Sequence, residues 1–295
     1  MGEATTIAWC HHSFNPWWGC SHVSPGCVNC YAEAWARRTG HPVWGAHAER
    51  RTFGEKHWSE PLAWNAAARH AGERRRVFCA SMADVFEDHP ALVAERAKLW
   101  ALIEATPWLD WQLLTKRVED VLGMTPGVWS GPGGWPGNVW IGTSVESQEW
   151  ANKRVSVLLR IPAKVRFLSC EPLLGRVDLR RIEAPNGELI DCLDGAASDP
   201  RDSVVHATAP HCVDWVIAGG ESGPHARRMD PEWARSIRDD CAAAGVPFLF
   251  KQTGSVLARK WGLRDAKGED PRELPADLRV RQWPASLAGT GGALL

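Results

Sequence analysis

A single α/β domain of barrel type is what this sequence predicts, on three observations. Short, continuous apolar runs rich in β-branched and aromatic residues recur along the chain. Helix-period stretches separate them, and polar, functional residue types follow almost every run. Continuous apolar strands are those buried on both faces, as in parallel sheets, and regular alternation with helices argues βα units rather than an antiparallel sandwich. In βα barrels reactive groups converge at the C-terminal rim of the strands, so the third observation points to a site there.

Taken in order, strands are expected at residues 6–10, 77–80, 111–114, 139–141, 165–168, 215–218 and 248–250. Helix-period stretches lie at 28–38, 91–105, 117–122, 147–160 and 231–244. Pro231 after Asp230 is a start signal, and Gly245-Val246-Pro247 is a stop signal. Two longer segments, 44–60 and 175–211, read as insertions in which substrate selection can reside. The expected domain is 1–253, with 254–295 as a C-terminal extension packing on it.

A chain of 295 residues can bury a full core, and a formal net charge of −1 argues against a globally basic nucleic-acid binder. No apolar run approaches the ~20 residues of a membrane span and no signal-peptide core opens the chain, so a cytoplasmic protein with no membrane partner is expected. Nine unevenly spaced cysteines suit a reducing compartment better than paired bridges. Tryptophan is the compositional outlier, eighteen against a single tyrosine, and Trp17, Trp18, Trp35, Trp44, Trp58 and Trp64 crowd the first quarter. Exposed indoles stack on bases, whereas buried ones fill cores.

The most specific signal is the segment Asn15-Pro16-Trp17-Trp18-Gly19-Cys20-Ser21-His22-Val23-Ser24-Pro25-Gly26-Cys27-Val28-Asn29-Cys30-Tyr31-Ala32-Glu33. Cys20, Cys27 and Cys30 form a C-x6-C-x2-C set on a Gly/Pro-punctuated loop, where tight turning can gather thiolates around one inorganic centre. By spacing alone an iron–sulfur cluster and a structural zinc, completed by His22, His11 or His12, stand level.

The surrounding residues carry a resemblance. Asn15, Pro16, Gly19, Cys20 and His22, with Cys27, Cys30, Tyr31 and Ala32, resemble the cluster loop of radical S-adenosylmethionine (SAM) enzymes, in particular the spore-photoproduct-lyase-like branch. The longer first gap also resembles a phage-associated three-cysteine-motif family. The chain departs from the branch in a first gap of six residues rather than three, and in Asn29, which stands where an aromatic usually precedes the last cysteine. The resemblance implies a partial, TIM-like barrel of (βα)6 type. It also implies a [4Fe–4S] cluster on Cys20, Cys27 and Cys30, SAM as co-substrate, and an external one-electron reductant such as flavodoxin or ferredoxin. The implied chemistry is reductive cleavage of SAM to a 5′-deoxyadenosyl radical.

The rims extend this expectation. Thr115-Lys116 resembles the branch's third strand end, where the lysine faces the SAM carboxylate, and Thr143 with Ser144 resembles its hydroxyl-bearing fourth. Ser81, Asp84 and Glu146 stand at further strand ends as cofactor-binding candidates. Gly219-Gly220-Glu221 has the form of the superfamily's Gly-Gly-Glu, displaced from the second strand to the sixth. Cys170, at the fifth strand end, is a candidate hydrogen donor by analogy with the cysteine of photoproduct lyase. The branch's DNA-lesion chemistry, the indole-rich first quarter and local basic clusters at 36–38, 49–51 and 73–76 point to a nucleic acid or nucleotide as substrate, in DNA repair or modification. Two other readings remain open: a non-enzymatic, zinc-bearing nucleic-acid-binding protein, and a radical SAM maturase acting on a protein or peptide.

Overall fold

The computed structural model describes residues 5, 7–131, 134–198, 205–206 and 212–284. Its centre is a sheet of β1 (His12–Ser13), β2 (Arg75–Cys79), β3 (Leu109–Thr115), β4 (Val139–Ser144), β5 (Val165–Cys170), β6 (Trp215–Gly219) and β7 (Phe248–Gln252). All seven strands run parallel and lie side by side in chain order, curled into a half-barrel. Each crossover therefore moves to the adjacent strand in the same sense, which leaves one face for the helices and the other concave. The principal helices are α1 (Tyr31–Arg38), α2 (Glu55–Ala71), α3 (Val93–Ala105), α4 (Gln148–Leu158), α5 (Pro231–Ala244) and α6 (Ser255–Lys260).

Both faces of the sheet are apolar, which is why the strands read as continuous runs. On the helix side Val77, Cys79, Val139, Ile141, Leu168, Cys170, Val216 and Ala218 join one large core. On the concave side Trp9, Phe78, Trp140, Val165, Phe167, Trp215, Ile217 and Leu249 form a second cluster that closes the lower half of the barrel. A glycine makes this second cluster possible: a Cβ on Gly142 would lie 2.4 Å from the Phe167 ring. Each buried aromatic removes about 150–250 Å² from water, roughly 4–6 kcal/mol of transfer free energy as an upper figure.

The expected strands 77–80 to 248–250 are present and mostly extend by one or two residues. The expected first strand is not. Ile7 to Cys10 form turn and coil, Thr6 lies outside the described residues, and the first strand is the two-residue β1. The apolar character of 6–10 has another cause, since Trp9 inserts into the concave cluster with Ile7 and Cys10 against it. Segment 44–60 is only partly loop. Arg51–Thr52 pairs antiparallel with Trp17–Trp18, and α2 begins at Glu55. Segment 175–211 contains an antiparallel meander of Ile182–Glu183, Leu189–Ile190, Ala197–Ser198 and Val205–His206. Beyond α6, the chain returns to β7: Phe250 N–H donates to Val280 O and Gln282 N–H to Phe248 O, each at 2.9 Å. That pairing covers the outer edge of β7, which would otherwise expose unpaired backbone groups.

Candidate functional site

The three-cysteine loop leaves β1 and is hydrogen-bonded to one strand end after another along the mouth of the half-barrel. Asn15 starts it: its Nδ2 donates to Ser81 Oγ at 3.1 Å and its Oδ1 accepts from Met82 N–H at 2.7 Å, both just past β2. Gly19 has φ of 117°, and a Cβ there would sit 2.4 Å from Val43 O, so only glycine lets the chain turn at this point. Arg117, two residues past β3, donates Nη1 to Cys20 Sγ at 3.5 Å. Gly26 N–H donates to Glu146 Oε1, past β4, at 3.3 Å. Asn29 donates to Glu221 Oε2, past β6, at 3.0 Å and to His225 O at 2.9 Å. Tyr31, the chain's single tyrosine, donates its hydroxyl to Ser81 O at 2.9 Å while its ring faces open space.

These contacts give the departure at position 29 a physical role. An amide reaches across to a carboxylate, which a phenylalanine ring could not do. Glu221 also accepts from Arg227 through its backbone N–H at 2.7 Å and twice through the guanidinium, at 3.0 and 2.6 Å. Burial works against its charge, but the bonds from Arg227 and Asn29 outweigh it and hold the carboxyl below its ordinary pKa. The carboxylate of Gly219-Gly220-Glu221 is thus engaged with protein donors. Gly220 is explained by packing, since a Cβ there would lie 2.2 Å from Thr253 O.

The other rim residues sort by what they touch. Lys116 donates Nζ to Ser144 Oγ at 3.1 Å, and these two groups lie beside the loop, the Lys116 stem and the Glu146 carboxylate both bordering Gly26. Glu146 is fully buried and ion-paired to Arg154 at 2.9 Å; Arg154 also donates to Ser144 O. Asp84 spends its carboxylate on Thr115 Oγ1, the backbone N–H groups of Lys116 and Phe86, and Arg117 Nη1. It braces the β2 and β3 ends rather than facing a ligand. Thr143 likewise donates to Thr115 O inside the sheet. Lys251, near the end of β7, and Glu171, just past β5, form a half-buried pair at 2.6 Å.

Cys170 does not belong to this constellation. Val165 and Phe167 of β5 point to the concave side, so strand alternation sends Leu168 and Cys170 into the helix-side core. Cys170 is completely buried, and that burial raises its thiol pKa far above the ordinary value. The expected hydrogen donor Cys170 thus sits in the helix-side core, and the concave face at this level is presented by Ser169.

All nine cysteines are free, and Cys20, Cys27 and Cys30 are each partly accessible. Burial pushes Cys20 up to about 12, with Asp84 adding to the rise and Arg117 opposing it; burial also raises Cys30. Thiols in such surroundings carry their protons until a cation displaces them. Among the described residues no three His, Cys, Asp or Glu side chains approach closely enough to hold one metal ion. His22 Nε2 is bonded to Glu33 Oε2 at 2.7 Å. A Cys3His tetrahedron with His22 is thus not built. Cys20, Cys27 and Cys30 are three free, partly accessible thiols of one loop, the donor type that iron–sulfur clusters use.

Most of the early tryptophans are structural. Trp17, Trp18, Trp58 and Trp64 are buried, whereas Trp35 on α1 is 42% exposed, with the Arg38 guanidinium 4.8 Å from its ring centre.

Fold and site together define a class: an open, singly wound parallel βα half-barrel with a three-cysteine loop pinned along its C-terminal mouth. The chain belongs to the family described as "Protein of unknown function (DUF5131)", whose model matches residues 4–282. Among solved structures it is similar to a cysteine-to-serine mutant of spore photoproduct lyase, at 12% identity and a TM-score of 0.46, with 85% of this chain and 79% of that chain covered. No curated protein matches the chain.

Proposed function

We propose that this chain is a radical SAM enzyme in which Cys20, Cys27 and Cys30 hold a [4Fe–4S] cluster, acting on a nucleic acid or nucleotide in DNA repair or modification. When bound, the cluster supplies one-electron reductive cleavage of SAM to a 5′-deoxyadenosyl radical, with flavodoxin or ferredoxin as the class of external donor. The observation that carries the reading is the loop itself: three free thiols held by hydrogen bonds to the ends of β2, β3, β4 and β6, at the mouth where βα folds collect their chemistry.

The chain's own residues have definable tasks. Lys116 offers an ammonium beside Ser144, suited to a carboxylate such as that of SAM. Glu146, Arg154 and Asp84 fix the loop and the strand ends, so that reacting groups meet in one geometry. The aromatic cluster beneath keeps water from entering through the bottom of the barrel. For the substrate, Trp35 with Arg38 offers a stacking surface and a cation one turn past Cys30. A base must leave its stack to enter such a mouth, and an aromatic platform lowers the cost of that step.

Anaerobic reconstitution with iron and sulfide tests the chemistry. About four irons per chain are expected, with 5′-deoxyadenosine formed from SAM on addition of a reductant. Replacing Cys20, Cys27 and Cys30 together by Ala should abolish both while the protein stays folded. Stoichiometric zinc and a colourless protein would sink the cluster. For the substrate, SAM-loaded protein should bind oligonucleotides more weakly as salt rises. If SAM cleavage is indifferent to DNA, RNA and nucleotides and binding ignores salt, the substrate assignment goes while the radical chemistry stands. No described helix is long and apolar enough to cross a membrane.

A further inference from the structure

We infer that Arg117 is a positioning residue of the cluster site, which sets the charge balance and hydrogen bonding at Cys20 and thereby the reduction potential of the group the three cysteines hold. The inference rests on the cluster reading above.

Its guanidinium is 8% exposed and every contact is directed. Nη1 donates to Cys20 Sγ at 3.5 Å and to Asp84 Oδ2 at 3.2 Å. Nη2 donates to Ser21 O and to Ser21 Oγ, each at 2.9 Å, and lies 3.8 Å from Glu87 Oε1. Glu87 in turn is held by Arg50 through two bonds of 2.8 Å and accepts from Ser21 Oγ at 2.7 Å. Arg50 also donates to the carbonyls of Val43, Ala48 and Gly45, so its own position is fixed by the backbone on the far side. Two guanidinium groups and two carboxylates thus close a buried, neutral network, and Cys20 Sγ lies on its edge.

Only one of the three loop thiols is served this way. Ser24 Oγ lies 4.0 Å from Cys27 Sγ, a far weaker contact, while Cys30 is served by the backbone N–H groups of Ala32 and Glu33, with the Lys116 charge acting on it without a hydrogen bond. Hydrogen bonds to ligand sulfur and local charge are the levers by which a protein sets the potential of an iron–sulfur centre. A guanidinium keeps its proton even when buried, so its charge persists at any working pH. Replacing it by a neutral side chain removes one cation and one N–H···S bond while Asp84 and Glu87 remain beside Cys20. The reduced cluster, one electron more negative, is then disfavoured. Removing a carboxylate instead favours it. Electrostatics therefore predicts opposite signs for the two changes, whereas simple loosening of the loop would move both the same way.

The test is a redox titration of the reconstituted full chain without SAM, read by the electron paramagnetic resonance of the reduced cluster. Dithionite gives one electron per cluster and is itself oxidised to sulfite. Arg117→Gln should shift the reduced-to-oxidised ratio at a fixed potential about tenfold toward oxidised, about 59 mV for a one-electron couple. Glu87→Gln should shift it toward reduced, and Arg117→Lys, which restores the charge without the fork, should fall between wild type and Arg117→Gln. If Arg117→Gln does not fold, the opposite displacement of Glu87→Gln and Arg117→Lys from wild type carries the same sign test. Four irons with an unmoved potential, or shifts of one sign throughout, would overturn the inference alone. A wild-type protein that takes up no iron would overturn the cluster reading and this inference with it.

Discussion

The floor and the mouth of the half-barrel are built on different physics. At the floor, Trp9 packs against Phe78 with ring centres 4.5 Å apart, and Trp215 meets Trp140 edge-on at 6.2 Å and Phe167 at 5.9 Å. Several polar groups there go unpaired: among the described residues, the indole N–H groups of Trp9 and Trp140 and both ends of the Gln112 amide are buried without a hydrogen-bond partner. At the mouth most buried polar groups are paired, with Nε and Nη2 of Arg154 as exceptions among the described residues. Asp84 takes four donors and Glu221 four, and Glu146 is shared between Arg154 and the cysteine loop. Packing is non-directional and tolerates an orphaned N–H at about 1–3 kcal/mol each. Hydrogen bonds are directional, and they are concentrated where the position of a sulfur or an ammonium matters. Stability and placement are thus separated along the barrel axis.

That separation can be broken at its strongest point. Trp215 is fully buried in the floor, its Nε1 donating to Gln282 O at 2.9 Å. Trp215→Ala should cost about 3–5 kcal/mol in urea unfolding. If floor and mouth are independent, the fraction that remains folded should still take up its full complement of iron. Iron lost in proportion to stability would show that the floor also places the loop.

A smaller change of opposite sign sharpens the same contrast. Gln112 faces the concave side level with Phe78 and Trp140, its register partners on β2 and β4. Methionine has a similar volume and no hydrogen-bonding groups, so Gln112→Met should stabilise the protein by about 1–2 kcal/mol. The equivalent exchange at the mouth, Asp84→Leu, should destabilise it by orphaning its donors. A loss of stability in Gln112→Met would mean that the amide is satisfied by an internal water, and the floor would be less dry than its packing suggests.

What the sequence discloses follows the same division. The strands β2 to β7 and the cysteine loop were legible because buried runs and thiol spacing are local patterns. The α2 helix was not, because Pro61 lies inside it and its first turns fell in the segment 44–60 read as an insertion. Nor could the sequence tell which face of β5 Cys170 occupies, since both faces are apolar and alternation carries no label. Arg117 was visible among the polar residues after β3 but carried no assigned role, and Arg154 carried none, because arginine is normally read as surface and their burial depends on carboxylates of neighbouring strand ends. Asn29 was visible as a departure from a pattern, yet its purpose became clear only when Glu221 stood opposite it.

The latch between Asn29 and Glu221 gives the smallest expected effect and the most specific one. Asn29→Ala removes one bond of several at Glu221 and should cost about 0.5–1.5 kcal/mol. The carboxylate adds a pH signature. Its folded pKa lies below the ordinary value of 4.5 because hydrogen bonds from Arg227 and Asn29 outweigh the effect of burial. A group depressed on folding contributes stability that is complete above its unfolded pKa and is lost as pH falls through the folded one. Wild type should therefore be more stable than Glu221→Gln at pH 6, and the difference should shrink as pH falls below about 4.5. Calorimetric melting of the two proteins across that range measures it. A difference that stays constant with pH would mean that the carboxylate's charge contributes nothing, and that the loop is fixed at β6 by shape alone.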